Sequence, residues 1–324
     1  MNIIPFQREE ERLFQKYLDH LCQDKKERTA SDYGYIVKSF IQWLADRPMN
    51  EGRFRPEMIS TAAVEMFLNR KRTVKDQVTG EEREVEYGIS TKNKMRAALS
   101  HFCSWLMDQG LLDKNPTRGV EIPPQPLMAP RVMTDDQRLV LRTLVEKKGD
   151  LRSQAIFALG YWAGCRVSDV SWLKISDTHL TTKSGWLRVG HKGGKQREID
   201  LLNQVRRPLY DYLQERLRDG RHKDSEFVFT SQRSDRLTEA GIHHWLRNLK
   251  EKATRGEWEL IHDITFHDFR HDFAHRCREA GWTLEEIAYY LGHITKKGEP
   301  AIQTTARYTQ VSREQIKAKL KLLR

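Results

Sequence analysis

The stretch EIPPQPLMAPRV, residues 121–132, carries prolines at 123, 124, 126 and 130, and it constrains the fold more than any other feature of the chain. A proline has no N–H to donate and a fixed φ, so neither a helix nor a central strand continues through such a run, which suits a semi-rigid connector. The chain therefore reads as a first domain over 1–122, a proline-rich linker over 123–133 and a second domain over 134–324. With 324 residues in all, each domain is long enough to bury its own core.

Before the linker the apolar residues recur at helical spacing. Leu13, Tyr17, Leu18, Leu21 and Cys22 form one set; Tyr33, Ile36, Val37, Phe40, Ile41 and Leu44 form a second, with Thr29 or Ser31 as its N-cap. Further helices are expected over 62–72 and 90–109, the latter closed by Gly110. Between them, residues 73–88 partly alternate around Thr79 and Gly80, which predicts a hairpin or an extended loop. The first domain is thus a mainly α helical bundle.

After the linker, Thr134 followed by Gln137 is a capping box that opens a helix. Helical patterns over 135–147 and 151–163 give way to short extended pieces at 173–175, 186–189 and 197–201, the last two joined by GHKGGK, and helices return from Val205. A small antiparallel sheet among many helices is an α+β arrangement, not a doubly wound one.

The balance of 56 Lys and Arg against 45 Asp and Glu gives a net charge of +11, which favours a polyanionic partner. Cys22, Cys103, Cys165 and Cys277 are far apart with no CxxC pair, and read as buried thiols of a reducing compartment. The N-terminus lacks a signal-peptide pattern, and the longest apolar run, 155–165, is too short to span a bilayer. A cytoplasmic protein without a membrane partner is expected.

Four segments carry candidate chemistry. In HDFRHDFAHRC, residues 267–277, His267, His271 and His275 recur every four residues, with Arg270 three after the first. On a helix this spacing allows either a pair of metal ligands or an anion clamp built from His267 and Arg270. Three such histidines drift by roughly 40° per step, so they do not all converge on one ion. Phe266, Phe269, Phe273 and Cys277 form an apolar stripe that leaves His267 and Arg270 at its edge, with His271 and His275 as packing or surface residues. AGCRVSDV places Arg166 after the most apolar helix, with Asp169 as its support; VGHKGGKQREI offers Lys192 and Lys195 in a turn; and YLGHITKKGEPAIQTTARYTQVS contains His293 and Tyr308. Taken singly, these are an ordinary Arg–Asp pair, solvated lysines and a packing tyrosine.

Taken in order, AGCRVSDV, a hairpin lysine, HDFRHDFAH, YLGH and a tyrosine before a final helix resemble the tyrosine recombinase family of phage integrases and Xer-like enzymes. The resemblance covers nearly the whole chain. It implies an integrase-like fold, with a helical core-binding domain and an α+β catalytic domain ending in an oligomerisation helix, 312–324. It also implies site-specific cutting and rejoining of DNA through a 3′-phosphotyrosine. Arg166 and Arg270 would hold the non-bridging oxygens of the scissile phosphate, His267 would hydrogen-bond that group or assist proton transfer, and His293 would contact it. Lys192 would protonate the leaving 5′ oxygen, Asp169 would orient its neighbours, and Tyr308 would be the nucleophile. No cofactor and no metal are implied. The partners would be double-stranded recombination sites, other copies of the chain in a tetramer on DNA, and accessory DNA-bending or directionality proteins, all at the nucleoid.

The chemistry is consistent with this. A tyrosine hydroxyl, of ordinary pKa about 10, is a weak nucleophile unless cationic neighbours stabilise the developing charge. The departure from the family pattern is ITKKGEP, residues 294–300, which looks inserted and would lengthen the path to Tyr308 as a mobile loop. The competing readings are a type IB topoisomerase, which relaxes DNA without pairing sites, and a DNA-binding regulatory protein that does not cut.

Overall fold

A computed structural model describes residues 9–75, 80–124, 132–190, 196–219, 222–232, 234–295 and 298–306. Thr79, most of the proline-rich linker, Lys192, Lys195, Tyr308 and the expected tail helix lie outside the described residues. The chain divides into two compact units, Met1–Pro126 and Leu127–Arg324.

The first unit is mainly α. Its elements are α1 (Glu9–Asp24), α2 (Glu27–Ala45), α3 (Thr61–Leu68), β1 (Lys71–Lys75), β2 (Glu82–Glu86) and α4 (Ile89–Asp108). Tyr17, Leu21, Val37, Phe40, Phe67, Leu99, Phe102 and Leu106 meet in one buried cluster. Edge-to-face ring pairs join Tyr17 to Phe102, with centroids 4.8 Å apart, and Phe40 to Phe67, at 5.0 Å. The start of α2 corrects the sequence expectation: Lys26 occupies the N-cap position without a side-chain bond, so Thr29 and Ser31 lie inside the helix. α3 stops at Leu68, short of Arg72, because Lys71 already pairs with Glu86 in the β1–β2 hairpin and Lys75 pairs with Glu82. These oppositely charged rungs favour the antiparallel register. Cys22 is exposed, contrary to expectation, since Leu21 takes the inward position beside it; Cys103, Cys165 and Cys277 are buried.

The second unit is α+β. It contains α5 (Asp135–Lys148), α6 (Leu151–Tyr161), α7 (Val167–Ser171), β3 (Thr178–Leu180), β4 (Gly185–Val189), β5 (Arg197–Asp200), α8 (Asn203–Asp219), α9 (Glu239–Lys250), α10 (Arg255–Ile261), α11 (Phe266–Glu279), α12 (Leu284–Leu291) and α13 (Ile302–Ala306). The capping box opens α5: the Gln137 N–H donates to Thr134 Oγ1 at 3.2 Å and the Thr134 N–H donates to Gln137 Oε1 at 3.0 Å. The middle of α6, Ala155 to Leu159, is wholly buried, and the helix packs on α8 and α11. β3, β4 and β5 form an antiparallel sheet in sequence order.

The extended piece expected at 173–175 is not a strand of that sheet. Its backbone pairs instead with a remote segment, the Ile175 N–H donating to Glu226 O at 2.8 Å and the Val228 N–H to Leu173 O at 2.9 Å. A short 3-10 turn over Ile175–Asp177 then leads into β3. Among the described residues, no helix is long and apolar enough to cross a membrane.

Candidate active site

The site is organised by the C-terminus of α12. Gly292 adopts φ 68°, its N–H donates to Tyr289 O at 3.0 Å, and the His293 N–H donates to Ala288 O at 2.8 Å, the two bonds of a Schellman cap. The last carbonyls of a helix have no partner within it and mark the negative end of its dipole. Here arginines take them up. Arg166 donates from Nη1 to Leu291 O at 3.3 Å and from Nη2 to Gly292 O at 3.5 Å. Arg270 donates from Nη2 to Leu291 O at 2.6 Å, and Arg197 from Nε to Tyr290 O at 2.7 Å. Carbonyl dipoles hold these guanidinium groups with only partial negative charge, and with three arginines the cluster keeps a positive field suited to an anion.

Each arginine arrives on a different element. α6 ends in a turn at Gly164, whose φ of 60° and close packing exclude a side chain: a Cβ there would lie 2.6 Å from Phe273 Cδ1. The turn brings Gly164 O within 2.7 Å of Arg270 Nη1. Arg166 follows at the N-cap of α7, where Asp169 Oδ2 accepts its backbone N–H at 3.0 Å. The same carboxylate oxygen accepts from Arg197 Nη2 at 3.4 Å, so Asp169 supports the cluster from α7.

Arg270 lies on α11, which opens with Asp268 Oδ2 accepting the Thr265 N–H at 2.7 Å. The sequence places Arg270 at the edge of the phenylalanine stripe, whereas the structure buries it completely, at 0 % exposure. The difference arises because the stripe faces the Gly164 turn and the end of α12, whose carbonyls satisfy the guanidinium inside the core. Two residues further on, Asp272 is also 0 % exposed. Its Oδ1 accepts from Arg138 Nη2 at 2.7 Å and its Oδ2 from Arg276 Nε at 2.9 Å, which ties α5 to α11.

His293 is buried at 4 % exposure, with Nε2 3.0 Å from Arg270 Nη2 and Nδ1 3.0 Å from Thr305 Oγ1. Because an arginine only donates, Nε2 must be the acceptor, and Nδ1 carries the proton toward Thr305. Burial, then the charges of Arg270, Arg166 and Arg197, lower its pKa to about 3 and keep the ring neutral. In this arrangement the His293 ring is hydrogen-bonded directly to Arg270.

His267 is exposed near the start of α11. Partial desolvation and the neighbouring charges of Arg270 and Arg166 hold its imidazole below the usual value, with Asp268 opposing. His271 packs edge-on against it, with ring centroids 4.5 Å apart, and burial and then His267 push its pKa down to about 4. His275 pairs instead with Glu279 at 3.3 Å. His267 and His271 are thus neighbours while His275 has its own partner, and among the described residues no group of three or more His, Cys, Asp or Glu converges as metal ligands would.

The structure therefore gathers Arg166, Asp169, His267, Arg270 and His293 around one helix end, while Lys192 and Tyr308 fall outside the described residues. It adds Arg197 and Thr305, which the sequence reading passed over. For Arg197 a signal existed, since it shares the inward parity of β5 with buried Ile199. Thr305 had none, because its role depends on where α13 returns.

Comparison with known proteins agrees with this geometry. The pattern of the phage integrase family matches residues 131–315. Tyrosine recombinase XerC of Neisseria gonorrhoeae is 25% identical over 313 residues, covering 94% of this chain and 92% of its own. XerC of Bacillus pumilus is 30% identical over 233 residues, 70% of this chain and 72% of its own. The crystal structure of a lambda integrase tetramer bound to a Holliday junction superposes with a TM-score of 0.62 at 17% identity, covering 93% of this chain and 77% of that one. The protein belongs to the phage integrase family and is a tyrosine-type site-specific recombinase.

Proposed function

We propose that the protein cuts and rejoins its DNA sites through a 3′-phosphotyrosyl link to Tyr308. Arg166 and Arg270 hold the non-bridging oxygens of the scissile phosphate, and His267 hydrogen-bonds the same group. His293 and Asp169 fix the two arginines, and Lys192 delivers a proton to the 5′ oxygen as it leaves. The link conserves the energy of the cleaved diester, so a 5′ hydroxyl from another strand re-forms the bond without ATP. The observation that carries this reading is the meeting of Arg166 and Arg270 at the carbonyl of Leu291. Such a pair places two guanidinium forks together in a partly dry site, where they would stabilise the charge that builds up on the oxygens of a phosphate.

The chain acts on double-stranded recombination sites as a tetramer in the cytoplasm, at the nucleoid, with its helical first domain as a second DNA-binding element. The net charge of +11 supports salt-dependent binding to the duplex. Integration, excision or resolution of DNA, aided by DNA-bending or directionality proteins, are the uses that fit a site-specific recombinase of this family.

A nicked duplex that loses its 5′ fragment after cleavage tests the chemistry, because the covalent complex then accumulates. The wild type is expected to form a protein–DNA adduct stable in detergent, and Tyr308→Phe none. An equal adduct from Tyr308→Phe would overturn the nucleophile assignment.

A further inference from the structure

We infer that Arg197 is a positioning residue of the cleavage site, locking the turn that carries Arg166 to the helix end that carries His293. The inference rests on the cleavage reading above and adds to it a residue with no assigned task. Arg197 opens β5, opposite Val189 of β4, and its side chain is 11% exposed. From there its guanidinium reaches two other elements at once: Nε donates to Tyr290 O in the last turn of α12 at 2.7 Å, and Nη2 donates to Asp169 Oδ2 in the first turn of α7 at 3.4 Å.

Both partners lead straight to the proposed phosphate ligands. Asp169 Oδ2 also accepts the Arg166 N–H, so it fixes the backbone from which that arginine extends. Tyr290 lies in the turn whose next carbonyl, Leu291 O, is shared by Arg166 and Arg270, and whose cap leads to His293. The side chain also lies against Gly292, where a Cβ would come within 2.9 Å of Arg197 Cδ and 3.0 Å of Nη1. Gly292 is thus needed for its φ of 68° and for the room it leaves to Arg197.

The third nitrogen argues against a purely structural account. Nη1 is buried and has no hydrogen-bond partner among the described residues. An arginine kept only for stability would not leave a buried charged donor unmet, since that costs free energy a methionine of similar volume would avoid. The unmet donor costs stability, and the two bonds yield a fixed relation between α7 and α12, a pattern expected where the site needs precision.

The test is single-turnover adduct formation on the nicked duplex at saturating protein, with binding and thermal unfolding measured alongside. Arg197→Met keeps the volume and loses both bonds, whereas Arg197→Lys keeps the charge and one bond. Arg197→Met is expected to bind the duplex within about threefold of wild type, to melt below the wild-type temperature because Tyr290 O and the buried Asp169 carboxylate each lose a donor, and to form adduct, per folded molecule, on the order of 10- to 100-fold more slowly. Arg197→Lys should recover part of that rate. Wild-type adduct rates in Arg197→Met, or equal losses in both variants that follow the folded fraction, would overturn the inference.

Gly292→Ala supplies a second arm, because its methyl group meets the Arg197 side chain. The slowing by Gly292→Ala should be smaller in the Arg197→Met background than alone, and strictly additive effects count against the proposed contact. Absence of adduct from the wild type itself overturns the cleavage reading and this inference with it, whereas normal wild-type adduct with an unaffected Arg197→Met overturns this inference alone.

Discussion

Arg166 and Arg270 donate to the same oxygen, the carbonyl of Leu291, from 3.3 and 2.6 Å. Like charges repel, so two guanidiniums are usually brought together by a carboxylate, and that would also spend their charge. A helix C-terminus offers an alternative, because its carbonyls and dipole attract cations without a full negative charge. The arginines are therefore organised before a phosphate arrives, which lowers the cost of reorganisation during cleavage.

This arrangement separates the two arginines by what their loss does. Arg166→Ala leaves the buried core intact and should slow adduct formation by on the order of a hundredfold, about 3 kcal/mol in the transition state. Arg270→Ala should do the same and also unfold more readily. It strands the carbonyl of Gly164 and leaves Leu291 O with Arg166 alone, and a stranded buried group costs about 1–3 kcal/mol. Denaturation midpoints alongside adduct rates check the distinction; equal stability of the two variants would contradict the burial argument.

Much of this was open to sequence reasoning, and the limits have physical causes. Thr134 with Gln137 and the glycines at 110 and 292 are local signals, acting within a few residues, and local structure follows them. Arg166, Arg270 and His293 stand out because a charged or polar group beside an apolar run calls for a partner. What the sequence does not display is that partner, since a backbone carbonyl has the same chemistry in every residue. Segment 173–175 lies outside the sheet for a related reason: it is extended beside residues 226–228, a pairing that no local pattern encodes, whereas the first strand of the sheet is β3.

His293 makes stability depend on pH. Folded, its pKa is about 3; unfolded, it returns to about 6.5, so between those values the unfolded state binds more protons. Its contribution is fully present above about pH 6.5 and is lost as pH falls toward 3. At pH 5 the loss amounts to about 2 kcal/mol relative to pH 7. Denaturant unfolding at the two values should show this in the wild type and less in His293→Gln. Identical pH dependence would mean that the ring is not held neutral.

Asp272 should matter to folding more than its distance from the phosphate ligands suggests. It is 0 % exposed and is bonded to Arg138 on one oxygen and to Arg276 on the other. Removing one member of a buried ionic group leaves the others uncompensated, at about 3–5 kcal/mol. Asp272→Asn is expected to lose stability of that order, measured by chemical denaturation, while the folded fraction still forms adduct. A loss below about 1 kcal/mol would show that the two arginines find water or other partners instead.

In ITKKGEP, the stretch that looks inserted, the described residues fold back on themselves, while Tyr308 lies outside the described residues. Ile294 and Pro300 form an antiparallel bridge, the Thr295 N–H donates to Glu299 O at 2.8 Å, and the Ala301 N–H returns to His293 O at 2.6 Å. The excursion closes where it began, so α13 starts beside His293, and Thr305 on that helix can accept the imidazole proton. A small hairpin of this kind is separable from the elements it interrupts. Replacing residues 295–299 by Asn-Gly, a two-residue turn, should therefore leave adduct formation within about threefold of wild type and leave the pH dependence of His293 unchanged. A slowing beyond tenfold with intact DNA binding would show instead that the insertion guides Tyr308 to the phosphate. The turn would then be part of the cleavage machinery proposed for Tyr308.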